Sequence, residues 1–506
     1  MASTWSKTFG LSLDAQPAAF TCAVSFFSEV PSICLEFASN IIAGMRRTSV
    51  FSAVLLLALA FTLVSREPQT DPRLKKASRA PERSGWIQVR LEGSPAEIGF
   101  QHGYLLASEI QDNYKEISTE IAHDEKKDWP FFRKTAEQVF WPQIEPEYRQ
   151  ELTGIVEGLK AHGGTLDVWD IVAMNAWLEL PYYDKWLDKS KPNITADHCS
   201  AFVATGKYTK DGRPVIGHNN WTSYASGERW NIMFDIRPTG GARILMDGQP
   251  GLIHSADDFG VNGAGIAITE TTISGFSGFD PKGIPEFVRA RKAMQYATTI
   301  DEFADIMKRG NNGGYANTWL VADVKSKEVA SLELGLKNVT LQRTRDGFFV
   351  GSNFPSNPQL VKEETDFDVN DKSKSENARH ARWLTLMEQN KGKIDVAAGQ
   401  RFLADHFDSF EGKVDPSERS LDGHIELSPR GMGSWQAPYA PAGAVQNKVT
   451  DATGIEKMSM TAALGHACGL HYKAADHLAK HPEFAWYQPI LHDMNARGWT
   501  RFTAGK

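Results

Sequence analysis

The sequence predicts an α+β layered fold in which helices dominate the first part of the chain and strands follow. Helical periodicity fills much of 94–180, and short strand-like runs separated by turn residues recur between 201 and 350. The chain has 506 residues, 41% of them hydrophobic, so it can bury a large core. Its formal net charge of −7 comes without a basic stripe, which argues against a nucleic-acid partner.

The N-terminal 65 residues have the layout of a targeting segment. Met45-Arg46-Arg47 precedes an uncharged apolar run over 48–65, which is typical of a signal peptide or, if uncleaved, of a signal anchor in contact with the membrane. Residues 1–44 make a poor basic head, so we interpret Met45 as the true start and 1–44 as a spurious extension. The sequence therefore predicts an exported protein, either secreted, periplasmic or in a lysosome-like lumen.

A polar linker is predicted over 66–84, followed by an N-terminal helical segment over 85–198. Patterns in this segment indicate one strand and three helices, over 86–91, 98–121, 148–159 and 166–180. Its end is rich in aromatic side chains that either pack in the core or line an apolar pocket beside the site. They are Trp177, Tyr182, Tyr183 and Trp186.

Strand patterns dominate after Cys199, with helices between them. Strands are predicted over 201–205, 214–217, 232–236, 243–246, 265–269, 318–322, 329–334, 339–342 and 347–350. Helices are predicted over 284–296, 300–309, 377–389 and 397–407.

Cys199 stands where the helical pattern changes to the strand pattern, and it is the candidate nucleophile. A thiol attacks carbonyl carbons near neutral pH if a base takes its proton. Cleavage of the His198–Cys199 bond would supply that base, because a new α-amine has a pKa of about 7.7–8. Spacing alone also fits a small buried hydrophobe, and pairing with Cys468 in an oxidising compartment would compete with catalysis.

The run HCSAFVATGKYTKDGRPVIGHNNW, with GVNGAGIAITET and GGYANTWLVAD after it, resembles the autoproteolytic N-terminal-nucleophile hydrolases. The phospholipase B-like proteins and the penicillin acyltransferase family are the best matches. GSPAEIGFQHGYLLASEI upstream and GAVQNKVTDA downstream extend the resemblance over roughly 86–502. It implies a four-layer αββα sandwich, a cut before Cys199, retention of the cleaved segment 85–198, and a hydrolase domain over 199–506.

The resemblance also assigns catalytic residues. Cys199 matches the nucleophile, and His218, Asn219 and Trp221 match the signature at the end of the second strand. Asn317 matches an amide that stabilises the oxyanion, and Arg379 matches an arginine near the nucleophile. Arg382 competes with Arg379 for that assignment. Trp221 favours the phospholipase B-like pattern, because penicillin acyltransferase relatives tend to have an acidic residue there.

Three further residues are weaker candidates for substrate binding, namely Asn262, Glu270 and Thr271. Each is also consistent with an ordinary polar group at a strand end. No cofactor and no metal are predicted, since His466, Cys468 and His471 cluster in the sequence without an acidic partner.

The predicted function is that of an exported autoproteolytic cysteine hydrolase. It would cleave the ester or amide bond of a small acyl or lipid substrate through an acyl-enzyme on Cys199. Two alternatives stay open: an N-acyl amide hydrolase or acyltransferase of the penicillin acyltransferase type, and a non-catalytic exported binding protein. The sequence makes no prediction of the oligomeric state.

Overall fold

The computed structural model describes residues 71–194, 198–256, 259–433 and 435–505. The predicted signal, the start at Met45 and the apolar run 48–65 lie outside these residues. The compact unit described below runs from Pro72 to Lys506. None of the helices in the described part of the chain combines the length and the apolarity that a bilayer crossing requires.

Two large sheets form the centre of the unit. The first sheet has nine strands in the order β1-β2-β5-β6-β7-β8-β9-β10-β11, and the second has six in the order β12-β3-β4-β15-β16-β17. All pairs are antiparallel except β2 with β5, and β13 pairs with β14 separately. The strands are β1 (Ser78–Arg79), β2 (Ile87–Gly93), β3 (His198–Thr205), β4 (Val215–Ser223), β5 (Ile232–Pro238), β6 (Ile244–Gly248), β7 (Gly260–Asn262), β8 (Ile266–Thr272), β9 (Asn317–Asp323), β10 (Glu328–Leu334), β11 (Val339–Thr344), β12 (Gly347–Gly351), β13 (Phe407–Asp408), β14 (Lys413–Val414), β15 (Ala442–Asp451), β16 (Ser459–Leu464) and β17 (Thr500–Thr503).

Helices cover both outer faces of this pair of sheets. The α-helices are α1 (Pro95–Leu105), α2 (Ala107–Glu125), α3 (Trp129–Thr135), α4 (Pro146–Ala161), α5 (Val168–Asn175), α6 (Leu180–Leu187), α7 (Tyr224–Gly227), α8 (Glu286–Tyr296), α9 (Ile300–Lys308), α10 (Pro358–Glu364), α11 (Ser375–Gln389), α12 (Val396–Leu403), α13 (Ala452–Glu456) and α14 (Ala474–Lys480). α1 begins where the sequence predicts, because Ser94 and Glu97 form a capping box and Pro95 occupies the first turn.

The apolar clusters show that the unit is built from four layers. One cluster lies between the sheets and joins Ala201 and Val203 of β3 to Leu320 of β9. A larger cluster packs the first helices and α8 and α9 against the outer face of the nine-stranded sheet. A third packs α11 and α12 against Phe202 and neighbouring residues of the six-stranded sheet. The order helix, sheet, sheet, helix confirms the predicted αββα sandwich.

The segment before Cys199 is integrated into this core. β2 pairs in parallel with β5, so a strand from before Cys199 continues a sheet built from residues after it. α1 and α4 touch backbone to backbone: a Cβ at Gly99 would stand 1.9 Å from the Glu151 carbonyl oxygen, and one at Gly158 would stand 2.0 Å from that of Phe100. Glycine is therefore required at this crossing.

Several elements differ from the sequence prediction. The linker predicted over 66–84 is partly structured, because Ser78–Arg79 pairs with β2 and the Arg79 guanidinium donates to the Leu105 carbonyl at 2.8 Å. The helix predicted over 98–121 breaks at Leu106 into α1 and α2, and that over 397–407 ends at Leu403. β15, in the middle of the six-stranded sheet, is absent from the prediction.

Candidate active site

Cys199 is the second residue of β3 and is completely buried. Its backbone N–H donates to Asn353 Oδ1 at 3.1 Å, and its carbonyl oxygen accepts from Arg379 Nη1 at 2.6 Å. Its thiol lies 3.7 Å from Asn220 Oδ1. The Cys199 backbone is thus held by the Asn353 amide on one side and the Arg379 guanidinium on the other, and the thiol lies beside a second amide, that of Asn220. Cys199 and Cys468 are both free thiols, so they do not pair here.

Strands β3 and β4 present different residues on their two faces. In their register Cys199 lies opposite Asn220, Ala201 opposite His218, and Ser200 opposite Asn219. Side chains alternate along a strand, and Ala201 belongs to the cluster between the sheets. Cys199, His218 and Asn220 therefore share what we call the inner face. Asn219 and Trp221 lie with Ser200 on the outer face, toward the α11 layer.

The inner face carries a buried polar cluster. His218 and Asn220 are fully buried there, and the Asn220 Nδ2 atom has no hydrogen-bond partner in the described part of the chain. The neighbouring strand β15 adds Gln446 opposite Asn220 and Lys448 opposite His218. The Lys448 ammonium is 2.9 Å from Asp247 Oδ2 and donates to Gln446 Oε1 at 2.9 Å. An ion pair and several amides thus adjoin the thiol in a layer that is otherwise apolar.

The outer face holds Arg379 and Trp221. Arg379, on α11, donates to Ser200 Oγ at 3.2 Å, to Asn353 Oδ1 at 2.9 Å and to Ser375 Oγ at 2.9 Å. Its guanidinium lies 4.5 Å above the Trp221 ring. Burial lowers the pKa of Arg379 to about 10, although nearby Glu376 and Cys199 favour its charged form. Arg379, the arginine predicted near the nucleophile, therefore contacts the carbonyl oxygen of Cys199 from the outer face.

Arg382, the competing arginine, does not take this position. It forms a two-point ion pair with Asp405 at 2.6 and 2.8 Å. Of the two arginines that the sequence left open, Arg379 is the one that touches Cys199.

Asn353 is a site residue that the sequence analysis missed. It follows β12 with a positive φ of 64° and is buried. Its Oδ1 accepts from both Cys199 N and Arg379 Nη2, and its Nδ2 donates to the Thr272 carbonyl at 2.9 Å. A non-glycine residue in the left-handed region costs backbone energy and marks a constrained position. In the sequence, "GSNFP" looks only like a turn.

Asn317 begins β9 and pairs with Thr272, whose carbonyl accepts from Asn353. Both polar atoms of its buried amide are without hydrogen-bond partners in the residues the structure describes. Thr271 is buried and packs against Gly351 of β12. A Cβ added to Gly351 would stand only 2.5 Å from the Thr271 methyl group. Gly351 pairs with Ala201, so Thr271 lies across the sandwich from the strand of Cys199.

Glu270 and Asn262 have other partners. Glu270 Oε1 accepts from the Tyr315 hydroxyl at 2.9 Å. Asn262 donates to the carbonyls of Met294 and Ala297 and accepts from the amides of Ala264 and Ile266 at 3.0 Å. Those four bonds occupy its amide and attach the β7–β8 turn to the end of α8. The structure therefore shows Asn262 stabilising this turn, and its role in substrate binding stays a prediction.

A cavity of about 580 Å³ lies beside the final residues of β4, Thr222 and Ser223, and Cys199 is not among the described residues that line it. Ile194 lines it from just before β3, and Thr222 lines it two residues beyond Asn220. Trp177 adds an aromatic wall, whereas α2 contributes Glu116 and Glu120. Trp177 thus fits the pocket interpretation of the aromatic cluster, while Tyr182 packs against Phe276 in the core at 6.2 Å between ring centres.

Comparisons with known proteins give a consistent result. A family profile described as Phospholipase B matches residues 97–407, more than half of the chain. Putative phospholipase B-like 2 of Mus musculus is 25% identical over 353 residues, which cover 60% of this chain and 57% of the mouse protein. An uncharacterized protein of Archaeoglobus fulgidus is 26% identical over 264 residues, covering 48% of this chain and 42% of its own.

Phospholipase B-like 1 of Homo sapiens is 24% identical over 270 residues, covering 45% of this chain and 47% of the human protein. The chain thus spans about half the length of the curated relatives it matches. Among solved structures, two variants of conjugated bile acid hydrolase from Clostridium perfringens align at 12% identity. Their TM-scores are 0.31 and 0.30, over 52% of this chain and 89% and 88% of theirs.

Proposed function

Because the chain belongs to the Phospholipase B family, we propose that it is a hydrolase that uses Cys199 to cleave acyl ester or amide bonds. The observation that carries this proposal is the environment of Cys199. Its thiol lies at the Asn220 amide, and its backbone is bound by Asn353 and Arg379 at the head of an inner strand. A buried structural cysteine needs none of these contacts.

Maturation would begin with attack of the Cys199 thiol on the carbonyl carbon of His198. The peptide C–N bond breaks, the amine leaves on Cys199, and the acyl group is transferred to sulfur as a thioester. Water then hydrolyses the thioester to a carboxylic acid and restores the thiol. Asn353 Oδ1 already accepts from the Cys199 N–H at 3.1 Å, which supports its role as the acceptor that holds the new α-amine.

In turnover the freed α-amine would take the proton of the Cys199 thiol, since its pKa of about 7.7–8 suits that exchange. The thiolate attacks the substrate carbonyl, and the alcohol or amine leaves with a proton. Water then releases the acyl group from sulfur. The amides of Asn220 and Asn317 are suited to bind the oxyanion, because both are buried and both carry amide N–H groups without a partner among the described residues.

The 580 Å³ cavity beside the final residues of β4 supports an amphiphilic substrate. Trp177, Ile117 and Leu178 offer apolar surface for an acyl chain, whereas Glu116 and Glu120 offer carboxyl groups for a polar head. Both a phospholipid ester and an N-acyl amine have this chemistry.

We also propose that the protein is exported and that residues 85–198 stay bound after the cut. The β2–β5 pairing and the close α1–α4 crossing support retention. N-terminal sequencing of protein recovered from the exported fraction tests export. A first residue that follows the apolar run 48–65 is expected, and a mature chain that begins before Met45 would contradict this part of the proposal.

The activity test compares fatty-acid release from a phospholipid with release from an N-acyl amine. Wild type is expected to hydrolyse one of them, and Cys199→Ala is expected to lose on the order of 10³-fold or more in rate. Cys468→Ala is the matched control, because it removes the other free thiol of the described residues and leaves the inner face intact. Full activity in Cys199→Ala would refute the proposal. Substrate binding without turnover in the wild type would favour the non-catalytic alternative.

A further inference from the structure

We propose that His406, Asp422, His424 and Cys468 form a zinc site beside the start of β15 and the end of β16 in the six-stranded sheet. One ligand atom from each residue lies within 4.8 Å of all the others. The sequence prediction contained no metal because it grouped His466, Cys468 and His471 without an acidic partner. In the fold, Asp422 is the acidic partner of Cys468. His406 and His424 take the places that the sequence grouping gave to His466 and His471.

The spacing of the ligand atoms matches a tetrahedral ion. Asp422 Oδ2 is 3.4 Å from His406 Nε2 and 3.8 Å from His424 Nε2. The Cys468 sulfur is 3.7 Å from His424 Nε2. Zinc bonds of about 2.0–2.3 Å to nitrogen, oxygen and sulfur give tetrahedral edges of about 3.3–3.8 Å. Three of the six distances among the four atoms are thus about the length of such an edge, and all six lie within 4.8 Å, so an ion can bind at their centre after the ligands draw together slightly.

One ligand atom is otherwise unsatisfied. His406 Nε2 is buried and makes no hydrogen bond of normal geometry in the described part of the chain, although it faces Asp422. A buried ring nitrogen without a well-formed hydrogen bond is costly. Coordination of an ion would satisfy it.

The surrounding residues orient the ligands as metal sites require. His424 uses its other ring nitrogen, Nδ1, to contact Glu426 Oε1 at 2.9 Å, and His466 Nδ1 lies 3.3 Å from the second oxygen of Asp422. Carboxylates in this position fix the tautomer and the ring direction of a metal-binding histidine. The Cys468 N–H also donates to Asp422 Oδ2 at 2.9 Å, which joins two ligands to each other.

The donor set indicates which metal binds and in what capacity. Two imidazoles and a thiolate disfavour calcium and magnesium, which prefer oxygen ligands. Four protein ligands fill a tetrahedral shell, which is the pattern of a structural zinc and not of a catalytic one. Cys468 is exposed and His406 half-buried, so an ion can reach the site from solvent.

The site would connect separate loops to the outer face of the active site. His406 precedes β13, Asp422 and His424 lie in the loop before β15, and Cys468 follows β16. Between the two loop ligands, Gly423 leaves room for the Trp221 ring, which a Cβ there would approach to 2.3 Å. Asn219 also donates to the Leu421 carbonyl at 2.7 Å. A bound ion would therefore hold in place the loop segment that packs against the Trp221 ring.

The test uses full-length protein freed of metal with a chelator and then titrated with zinc or cobalt at neutral pH. Wild type is expected to bind one ion per chain, to melt at a higher temperature when loaded, and to give a thiolate-to-cobalt charge-transfer band. Cys468→Ser is expected to lose that band and weaken binding at least 10-fold. Glu426→Gln, which removes the carboxylate that orients His424 and also accepts from the Tyr224 hydroxyl, is expected to weaken binding about 10- to 100-fold.

His471→Gln is the matched control, because His471 accepts from the Ala496 N–H and lies outside the four ligands. It is expected to bind zinc as wild type does. No stoichiometric binding in the wild type would overturn the proposal, as would a cobalt complex without the thiolate band. Rapid alkylation of Cys468 at saturating zinc would also overturn it and identify a metal-free reactive thiol beside His424. None of these readouts depends on hydrolase activity.

Discussion

The two faces of strands β3 and β4 differ in how completely their polar groups are paired. On the outer face, Arg379 makes four hydrogen bonds, and Asn219 accepts from the Trp221 indole and donates to two carbonyls. On the inner face, the Asn220 amide N–H group is buried without a partner in the described residues. Fully paired groups stabilise a fold, whereas unpaired donors cost stability and are available to a substrate. This difference is consistent with a structural role for the outer face and with the reactive role that we propose for the inner face.

The largest expected effect on stability comes from removing the charge on the outer face. Arg379→Met leaves the Cys199 carbonyl and two serine hydroxyls without their donor, so we expect a loss of about 2–4 kcal/mol in the free energy of unfolding. Arg382→Met is the control, because it removes a partly exposed ion pair worth about 1 kcal/mol. Denaturant titration of both variants measures the difference, and equal losses would contradict the special role of Arg379.

Two adjacent asparagines test the comparison most sharply. Asn220→Ala is expected to lower kcat about 10²- to 10³-fold with little change in stability, because it removes an oxyanion donor. Asn219→Ala is expected to cost about 2 kcal/mol of stability, since it leaves the carbonyls of Leu403 and Leu421 unpaired. Kinetics and unfolding are measured on both. If Asn219→Ala lowered kcat and Asn220→Ala lowered stability instead, the outer face would carry the chemistry, and the proposal would be contradicted.

Trp221 should behave as an outer-face residue. Trp221→Phe keeps an aromatic surface under Arg379 but loses the bond from Nε1 to Asn219 Oδ1 at 3.1 Å. We expect a loss of about 1 kcal/mol in stability and a change in kcat smaller than that of Asn220→Ala. An effect on kcat much larger than the effect on stability would support the direct catalytic role that the sequence resemblance implies for Trp221.

The smallest effect concerns pH. Burial, together with the nearby Glu120, raises the pKa of Glu116 well above its ordinary value. The folded state therefore keeps this proton longer than the unfolded state, and the stability it contributes is lost as pH rises above about 4.3. Between pH 5 and pH 8, the melting temperature of Glu116→Gln should fall by about 1–2 °C less than that of the wild type.

Glu137→Gln, at an exposed position, provides the control for that measurement. Its melting temperature should fall with pH as that of the wild type does. An unchanged pH dependence in Glu116→Gln would show that Glu116 does not carry the effect.

Local signals in the sequence were sufficient for much of the fold. The cap at Ser94, the helical periodicity after it and the alternating strands after Cys199 all correspond to elements of the structure. β15 could not be predicted in this way, because it carries Gln446, Asn447 and Lys448 through a fully buried strand, and polar residues mask the apolar pattern of a core strand. Their partners, such as Asp247, lie far away in the chain.

The candidate site was predictable only in part. The resemblance identified Cys199 and Arg379, which are in contact, but the HNNW motif does not reveal that its residues alternate between two faces. Asn353 and the residues of the proposed zinc site could not be found, because each depends on contacts between distant segments. Sequence spacing instead suggested His471 as a neighbour of Cys468, although the fold places His406 and His424 there.

The mass of the mature chains tests the central claim most directly. Wild-type protein under denaturing conditions is expected to separate into two chains, the larger of which begins with Cys199. Cys199→Ala should stay whole, and Cys468→Ala should be cut as in the wild type. An active wild-type protein that remains one chain, or a Cys199→Ala protein cut at the same bond, would contradict a nucleophile that releases its own N-terminus.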